Sequence, residues 1–491
     1  MMATQSEALL YAVRPLVVLR HLGSLIAALA VLTILPLAVA LLAAEYDVAL
    51  RMAVVVLGLG LAGFGLTRLP ARGELMRNEG FALAALIFLL APLAMAWPLA
   101  AGHASTLAHV SVMDAIFESI SGVTTTGLSC LATVEQLPRS LLFTRAWMQW
   151  YGGLGFVILS LALVMQSGQS AKSLAVTEGE PRDLAGGMRP YARKVLVVYL
   201  VMTLAVTALT FLLGEEPYTA LLYALAAVST GGFAPHDASL SAMASLAPQI
   251  AVMLGCLAGA LPLSLYLFRR GDKKARAVHM VQLLALCALA ALCSLLVAGS
   301  LAAAGNGPGY SLRHGLLLGV SAQSTAGFAS LDVASLSPLA KGGLIMSMLI
   351  GGSVGSTAGG FKVLRLIIAF KLVQGLVRRA NLAPHAVYQP ALAGQQLRQG
   401  EMQEAMAVIT LYAVTLGLSW LAFLAYGLKP LDSLFEIASA LGTVGLSAGL
   451  SGPDLPALLK GVLCADMLLG RLEVLAWLVA FSPATWIGRR P

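Results

Sequence analysis

Apolar stretches long enough to cross a bilayer recur ten times along this chain, near residues 16–43, 51–67, 80–100, 142–166, 192–213, 246–268, 277–303, 340–375, 403–427 and 457–482. A helix needs roughly 20 such residues to span the hydrocarbon core. In lipid only helices and closed barrels satisfy every backbone polar group. The pattern therefore predicts an all-α polytopic membrane protein. Composition agrees, with 59% of residues hydrophobic and 11% charged, against about 25% charged in soluble domains. It excludes a secreted disulfide scaffold, a disordered chain and a nucleic-acid-binding domain, despite the net charge of +8. The five cysteines (Cys130, Cys256, Cys287, Cys293 and Cys464) include no Cys-x-x-Cys pair and no histidine at metal spacing, so they read as small core residues. Arg14 and Arg20 flank the first run, but no small-residue cleavage site follows it, so it reads as the first span.

Basic residues orient the spans. With the N-terminus inside, the inner segments hold Arg14, Arg20, Arg68, Arg72, Arg77, Lys172, Arg182, Arg189, Arg193, Lys194, Arg269, Arg270, Lys273, Lys274, Arg276, Lys371, Arg378, Arg379, Arg398, Arg489 and Arg490, and the outer ones only seven. Both termini are thus expected in the cytoplasm, and the positive charge needs no nucleic acid. Acids favour the other side: Glu45, Asp47, Asp114, Glu118, Glu135, Glu215, Glu216, Asp237, Asp332, Asp432, Glu436 and Asp454 lie outside. Such a vestibule would concentrate cations.

Four shorter apolar segments, near 113–124, 217–229, 312–324 and 431–441, lie between successive span pairs. At about 10 to 13 residues they are too short to cross and fit re-entrant helices. They end in Thr124-Thr125-Thr126-Gly127, Ser229-Thr230-Gly231-Gly232, Ser324-Thr325-Ala326-Gly327 and Gly442-Thr443-Val444-Gly445, each followed by an apolar and a small residue. Thr-x-Gly alone is a weak signal in a chain with 49 glycines. Four copies in matching context imply one unit used four times. Glycine lets a strand aim its carbonyl oxygens at one axis, and four such strands can replace the water shell of a dehydrated monovalent cation. The alternative is ordinary glycine-rich turns. The units divide the chain into a two-span region at 1–76 and pore repeats at 77–170, 171–270, 271–395 and 396–491.

Several stretches resemble the Trk/Ktr/HKT superfamily of potassium transporters, most closely the bacterial TrkH-type membrane subunit: Phe117-Glu-Ser-Ile-Ser-Gly-Val-Thr-Thr-Thr-Gly127, Trp150-Tyr-Gly-Gly-Leu-Gly155, Thr230-Gly-Gly-Phe-Ala-Pro-His-Asp237, Gly351 to Lys362 and Leu468-Leu-Gly-Arg-Leu-Glu473. The likeness runs from about Arg77 to the C-terminus. The two extra N-terminal spans resemble the Trk branch, while Gly442-Thr-Val-Gly445 is closer to the Ktr branch. The resemblance implies four pseudo-symmetric span, pore-helix, filter and span repeats around one pore. It implies K+ as the transported ion, held at Thr124, Thr125, Thr126, Gly127, Thr230, Gly231, Gly232, Thr325, Ala326, Gly327, Thr443, Val444 and Gly445. It further implies a homodimer in the bacterial inner membrane, with a cytosolic nucleotide-binding RCK partner and no organic cofactor in this chain.

The eighth span is about 36 residues long and is interrupted by Gly351, Gly352, Ser353, Gly355, Ser356, Thr357, Gly359 and Gly360. Each internal glycine costs a helix about 1 kcal/mol. Non-helical backbone at membrane depth survives only where it is protein-buried or lines water, so this segment should face the conduction path; the alternative is a kinked helix with close glycine packing. The resemblance implies a gate loop. Arg471 falls near the middle of the last span, where an unpaired charge costs at least about 2.5–3.5 kcal/mol. At about 100° per residue, Asp466 and Glu473 lie on the opposite side of that helix. Arg471 should therefore face the pore, or else meet an acid or carbonyl of another helix. By resemblance it is a barrier below the filter, with Glu473 free to neutralise Lys362 or Arg365.

No His-Glu-x-x-His, acid pair within one span or nucleophile–base pattern supports an enzyme. A coupled symporter using protons or sodium is the alternative on the same scaffold, with Asp466 as the lone membrane acid for a proton-coupled mechanism. The basic runs at Arg269 to Lys274 and Arg378–Arg379 read either as docking surfaces or as orientation signals and contacts to bilayer headgroups.

Overall fold

The computed structural model describes residues 12–71, 73, 75–100, 110–166, 188–267, 273–381, 383 and 389–487, with backbone alone for 161–166, 188–189 and 273–275. Arg72, Lys172, Arg182, Arg269, Arg270, Arg489 and Arg490, and the side chains of Arg189, Lys273 and Lys274, lie outside the described residues. The first two helices, α1 (Pro15–Leu42) and α2 (Tyr46–Thr67), pack as a hairpin. Gly23 and Gly63 bring their backbones together: a Cβ on Gly63 would lie 2.8 Å from Ala27 N.

Four groups follow, each containing a long helix, a short helix and then a second long or broken one. The first is α3 (Arg77–Leu99), α4 (Val112–Val123) and α5 (Arg139–Gln166). The second is α6 (Met188–Leu212), α7 (Pro217–Val228) and α8 (Leu246–Ala260). The third is α9 (Lys273–Ala303), α10 (Pro308–Gln323), α11 (Pro338–Ile350) and α12 (Val363–Ala380). A small hairpin, Ala391–Leu392 against Gln395–Gln396, precedes the last group: α13 (Gln399–Ala425), α14 (Pro430–Leu441), α15 (Ala457–Arg471), α16 (Leu475–Phe481) and α17 (Pro483–Trp486).

Local chemistry starts the short helices. Proline occupies the first turn of α7, α10 and α14, where its missing N–H is no loss. α4 instead opens on a capping box, with Asp114 N donating to Ser111 Oγ at 3.1 Å and Ser111 N to Asp114 Oδ2 at 3.1 Å. Each short helix packs against the second long helix of the preceding group: α7 on α5, α10 on α8, α14 on α11, and α4 on α15. Two of those seams carry ion pairs at a short helix's first turn, Lys460–Asp114 buried at 2.5 Å and Lys341–Asp432 partly buried at 2.7 Å.

Among the described residues, six helices are long and apolar enough to cross a bilayer: Pro15–Leu42, Tyr46–Thr67, Arg77–Leu99, Pro190–Leu212, Arg276–Ala303 and Gln399–Ala425. Two spans expected as single runs, 246–268 and 457–482, are divided, which corrects the sequence reading; the run at 340–375, expected to be interrupted, is divided too. The run at 246–268 breaks at Leu261, which precedes Pro262 and is extended, with φ −87 and ψ 154. The run at 340–375 opens between Gly351 and Lys362, longer than a kink. The run at 457–482 breaks at Leu472–Val474, where Glu473 and Val474 take φ +59 and +56. The third short helix is also longer than expected, 16 residues from Pro308. Cys287 is exposed, unlike the other four cysteines, so it is not a core residue.

Candidate ion pathway

The last turns of α4, α7, α10 and α14 converge. Thr125, Thr230, Thr325 and Thr443 follow those helices with φ of +57, +52, +55 and +49, all fully buried. Left-handed backbone is uncommon for a β-branched residue and persists only where the surroundings impose it. Two residues later Gly127, Gly232, Gly327 and Gly445 also take positive φ. A Cβ on each would come within 1.9 to 2.3 Å of a neighbouring loop's carbonyl: Gly127 on Gly231 O, Gly232 on Ala326 O, Gly327 on Val444 O and Gly445 on Thr126 O. The four loops thus close into a ring in which only glycine fits.

All four glycines line a cavity of about 640 Å³, together with Ser129, Asp237, Asp332 and Ser447. Near its rim Glu135 approaches His236 Nδ1 at 3.4 Å. His236 also acts on Glu215, whose carboxyl burial raises above the ordinary range while His236 pulls it down.

Side chains fix the ring from behind. Gln149 Nε2 donates to Gly231 O at 2.5 Å while its Oε1 accepts from Phe233 N at 3.0 Å. Gln323 Nε2 donates to Gly351 O at 2.7 Å, and Ser347 Oγ donates to Gln323 Oε1 at 2.7 Å. Glu436 accepts from Ser447 Oγ at 2.7 Å, Ala448 N at 2.9 Å and Ser451 N at 2.7 Å. Gly152 explains the Trp150-to-Gly155 motif, because a Cβ there would lie 2.1 Å from Val123 O at the end of α4.

The segment Gly351–Lys362 touches the ring from α11. Gly359 N donates to Thr325 Oγ1 at 2.7 Å, and Gly360 N to Gly442 O at 3.1 Å. Thr357 Oγ1 donates to Gly259 O at 2.9 Å and accepts from Thr230 Oγ1 at 3.3 Å. Two ring hydroxyls are therefore engaged by this segment. The other two, Thr125 Oγ1 and Thr443 Oγ1, are buried and have no hydrogen-bond partner among the described residues. An oxygen left unpaired in a dry interior is costly unless something else meets it, and a dehydrated cation at the axis would do so.

Arg471 is 1% exposed. Its Nη1 donates to Thr357 O at 2.7 Å, its Nη2 to Gly152 O at 3.5 Å, and its guanidinium lies 4.2 Å from the Phe156 ring centroid. It ends α15 and does not sit within a continuous helix, so the angular argument holds for Asp466 but not for Glu473, which leaves the helix. Glu473 pairs with Arg365, whereas Lys362 Nζ donates to Ala358 O. Phe156, Gly355, Lys362, Arg365 and Glu473 line a smaller cavity of about 130 Å³. Asp466 lies apart, 1% exposed, with Ser419 Oγ donating to its Oδ1 at 2.7 Å.

The sequence-predicted positions Thr124–Gly127, Thr230–Gly232, Thr325–Gly327 and Thr443–Gly445 come together, and Thr357 meets Arg471. Gln149, Gln323 and Glu436 were not singled out as site residues. Gln149 directly precedes the Trp150 motif, and Glu436 stands nine residues before Gly445 as Glu118 does before Gly127, signals that could have found these two; Gln323 carries none.

A family profile described as TrkH, cation transport protein, matches residues 91–276 and 272–486. The chain is 30% identical over 436 residues to the Trk system potassium uptake protein TrkH of Escherichia coli K12, covering 84% of this chain and 87% of that protein. It is 31% identical over 494 residues to the Trk system potassium uptake protein TrkI of Halomonas elongata, covering 96% of each. The crystal structure of the potassium transporter TrkH from Vibrio parahaemolyticus superposes with a TM-score of 0.83 at 26% identity, over 97% of this chain and all of that one.

Proposed function

Because the chain belongs to the TrkH family of cation transport proteins, we propose that it takes up potassium across a bacterial cytoplasmic membrane through a selective, gated pore. The observation that carries this reading is the closed ring of four loops with two unpartnered threonine hydroxyls. In this reading the repeats at 77–170, 171–270, 271–395 and 396–491 surround one axis, with the two spans of 1–76 outside them. Thr124–Gly127, Thr230–Gly232, Thr325–Gly327 and Thr443–Gly445 form the filter. Gly351–Gly360 is the gate loop, and Arg471 is a barrier that its bond to Thr357 ties to that loop. Both termini face the cytoplasm, as the distribution of basic residues supports. A homodimer and a cytosolic nucleotide-binding RCK subunit complete the system by family likeness. Exposed side chains such as Leu57, Leu61, Leu204 and Leu295 suit contact with lipid.

Rubidium-tracer uptake into liposomes holding only this purified chain tests the reading. Uptake should be suppressed by potassium far more than by sodium. Uptake that sodium suppresses equally would overturn the selectivity.

A proton- or sodium-coupled symporter has one observation in its favour: Asp466 Oδ2 is buried without a hydrogen-bond partner among the described residues. If a proton is coupled there, Asp466→Asn should remove the acceleration of uptake by an inward proton gradient. An unchanged response to the gradient would leave the passive pore.

A further inference from the structure

One buried ion pair joins the ends of two neighbouring loops. Glu118, on α4, accepts from Arg145 Nε at 2.6 Å on one carboxylate oxygen and from Ser129 Oγ at 2.9 Å on the other. Ser129 stands two residues beyond Gly127. At the far end of the pair, Arg145 Nη1 donates to Ala234 O at 3.3 Å, and the guanidinium lies 3.9 Å from the Phe233 ring centroid. Ala234 stands two residues beyond Gly232, so the pair spans equivalent points of the first and second loops.

Two other seams also carry ion pairs, Lys341–Asp432 and Lys460–Asp114, but these sit at the first turns of the fourth and first short helices. Glu436, at the same offset in the fourth loop, accepts among the described residues only from that loop's own Ser447, Ala448 and Ser451. Between the second and third loops the ties are neutral: Leu240 N donates to Ala329 O at 3.0 Å and Ser239 Oγ accepts from Ala329 N at 3.2 Å.

The side chains of Arg145 and Glu118 are 3% and 1% exposed, yet Arg145 lines the cavity of the four glycines. A bare guanidinium at the mouth of a cation path repels the ion it should admit. Glu118 cancels that charge, and at low local dielectric the cancellation is strong.

Resting on the pore reading above, we propose that Glu118 and Arg145 are positioning residues for ion discrimination. Together they form a strut that sets the separation of the first and second loops and stays electrically silent at the pore mouth. The two charges then have opposite signatures. Glu118→Gln frees the cation, so half-saturation of rubidium uptake should rise about tenfold at low ionic strength and less at high salt. Arg145→Gln frees the anion, so half-saturation should fall severalfold. Both variants should lose about tenfold of the potassium-over-sodium discrimination, because each severs the strut.

A role in packing alone would shift stability without these opposite displacements. Unaltered discrimination in both folded variants, or half-saturation moving the same way in both, overturns the proposal. Should the single variants fail to fold, the apolar double variant E118M/R145M decides, since a buried ion pair is often replaceable by packed apolar side chains. Near-normal half-saturation with lost discrimination supports the strut, and wild-type discrimination overturns it. Absence of potassium-competed uptake by wild-type protein in the same liposomes overturns the pore reading and this proposal with it.

Discussion

Gly327→Ala is expected to abolish selective potassium uptake while leaving a folded protein in the membrane. The added Cβ would stand 1.9 Å from Val444 O, and the backbone at this position has φ +74. The left-handed conformation alone costs an L-residue roughly 1–2 kcal/mol. The larger effect is geometric, because neither the Gly327 backbone nor the Val444 carbonyl is the free end of a flexible side chain. The ring must open by more than an ångström at that seam, and a displacement of that order typically removes about 100-fold of a function that depends on exact placement. Rubidium uptake in liposomes, with chromatographic monodispersity as the folding control, measures it. Gly417→Ala, which meets nothing within 4 Å on α13, should behave as wild type. Retention of wild-type uptake and selectivity by Gly327→Ala would remove the ring from the conduction path.

Arg471→Ala should act in the opposite direction and raise cation flux. A fixed charge roughly 8 Å from a passing cation opposes it by about 2 kcal/mol at an effective dielectric of about 20, or about 30-fold in rate. The guanidinium also bonds Thr357 O at 2.7 Å, so its loss frees the segment beneath the ring as well. Two further substitutions separate these effects. If charge makes the barrier, Arg471→Gln should raise flux like alanine, while Arg471→Lys stays near wild type. If the bond to Thr357 makes it, lysine should raise flux too, because it lacks the planar fork. Uptake by Arg471→Ala at or below wild type, at matched expression, would count against any barrier at this position.

How much of this was legible depended on whether the cause was local. The first short helix was expected near 113–124 and runs Val112–Val123, because an apolar run between a capping serine and a Thr-x-Gly stop is written in consecutive residues. The third begins earlier than expected because its first turn, Pro308-Gly309-Tyr310-Ser311, opens on proline and glycine and carries little apolar weight, which hides it from an apolar count. The break at Gly351 could be anticipated from its glycines. The break after Arg471 could not, since Leu472-Glu473-Val474 contains neither glycine nor proline. It is made by tertiary partners: Arg365 takes Glu473, and Trp477 Nε1 donates to the Leu468 carbonyl at 2.7 Å. At the site, the threonine and glycine positions showed through repetition. Gln149 is marked only by its place beside the Trp150 motif, and nothing local shows that it bonds Gly231 across 82 residues.

The contacts that close the ring all run in one sense. Gly127 leans on the second loop, Gly232 on the third, Gly327 on the fourth and Gly445 on the first. The wheel therefore has a handedness, and a side chain added at any one of the four glycines would press on the carbonyl of the following loop. Second-site suppressors of a damaged filter glycine should accordingly gather in the following quadrant. A single chain can meet that demand without disturbing the other three, because each quadrant is spelled separately in its sequence, whereas an assembly of four identical subunits would have to change every seam at once.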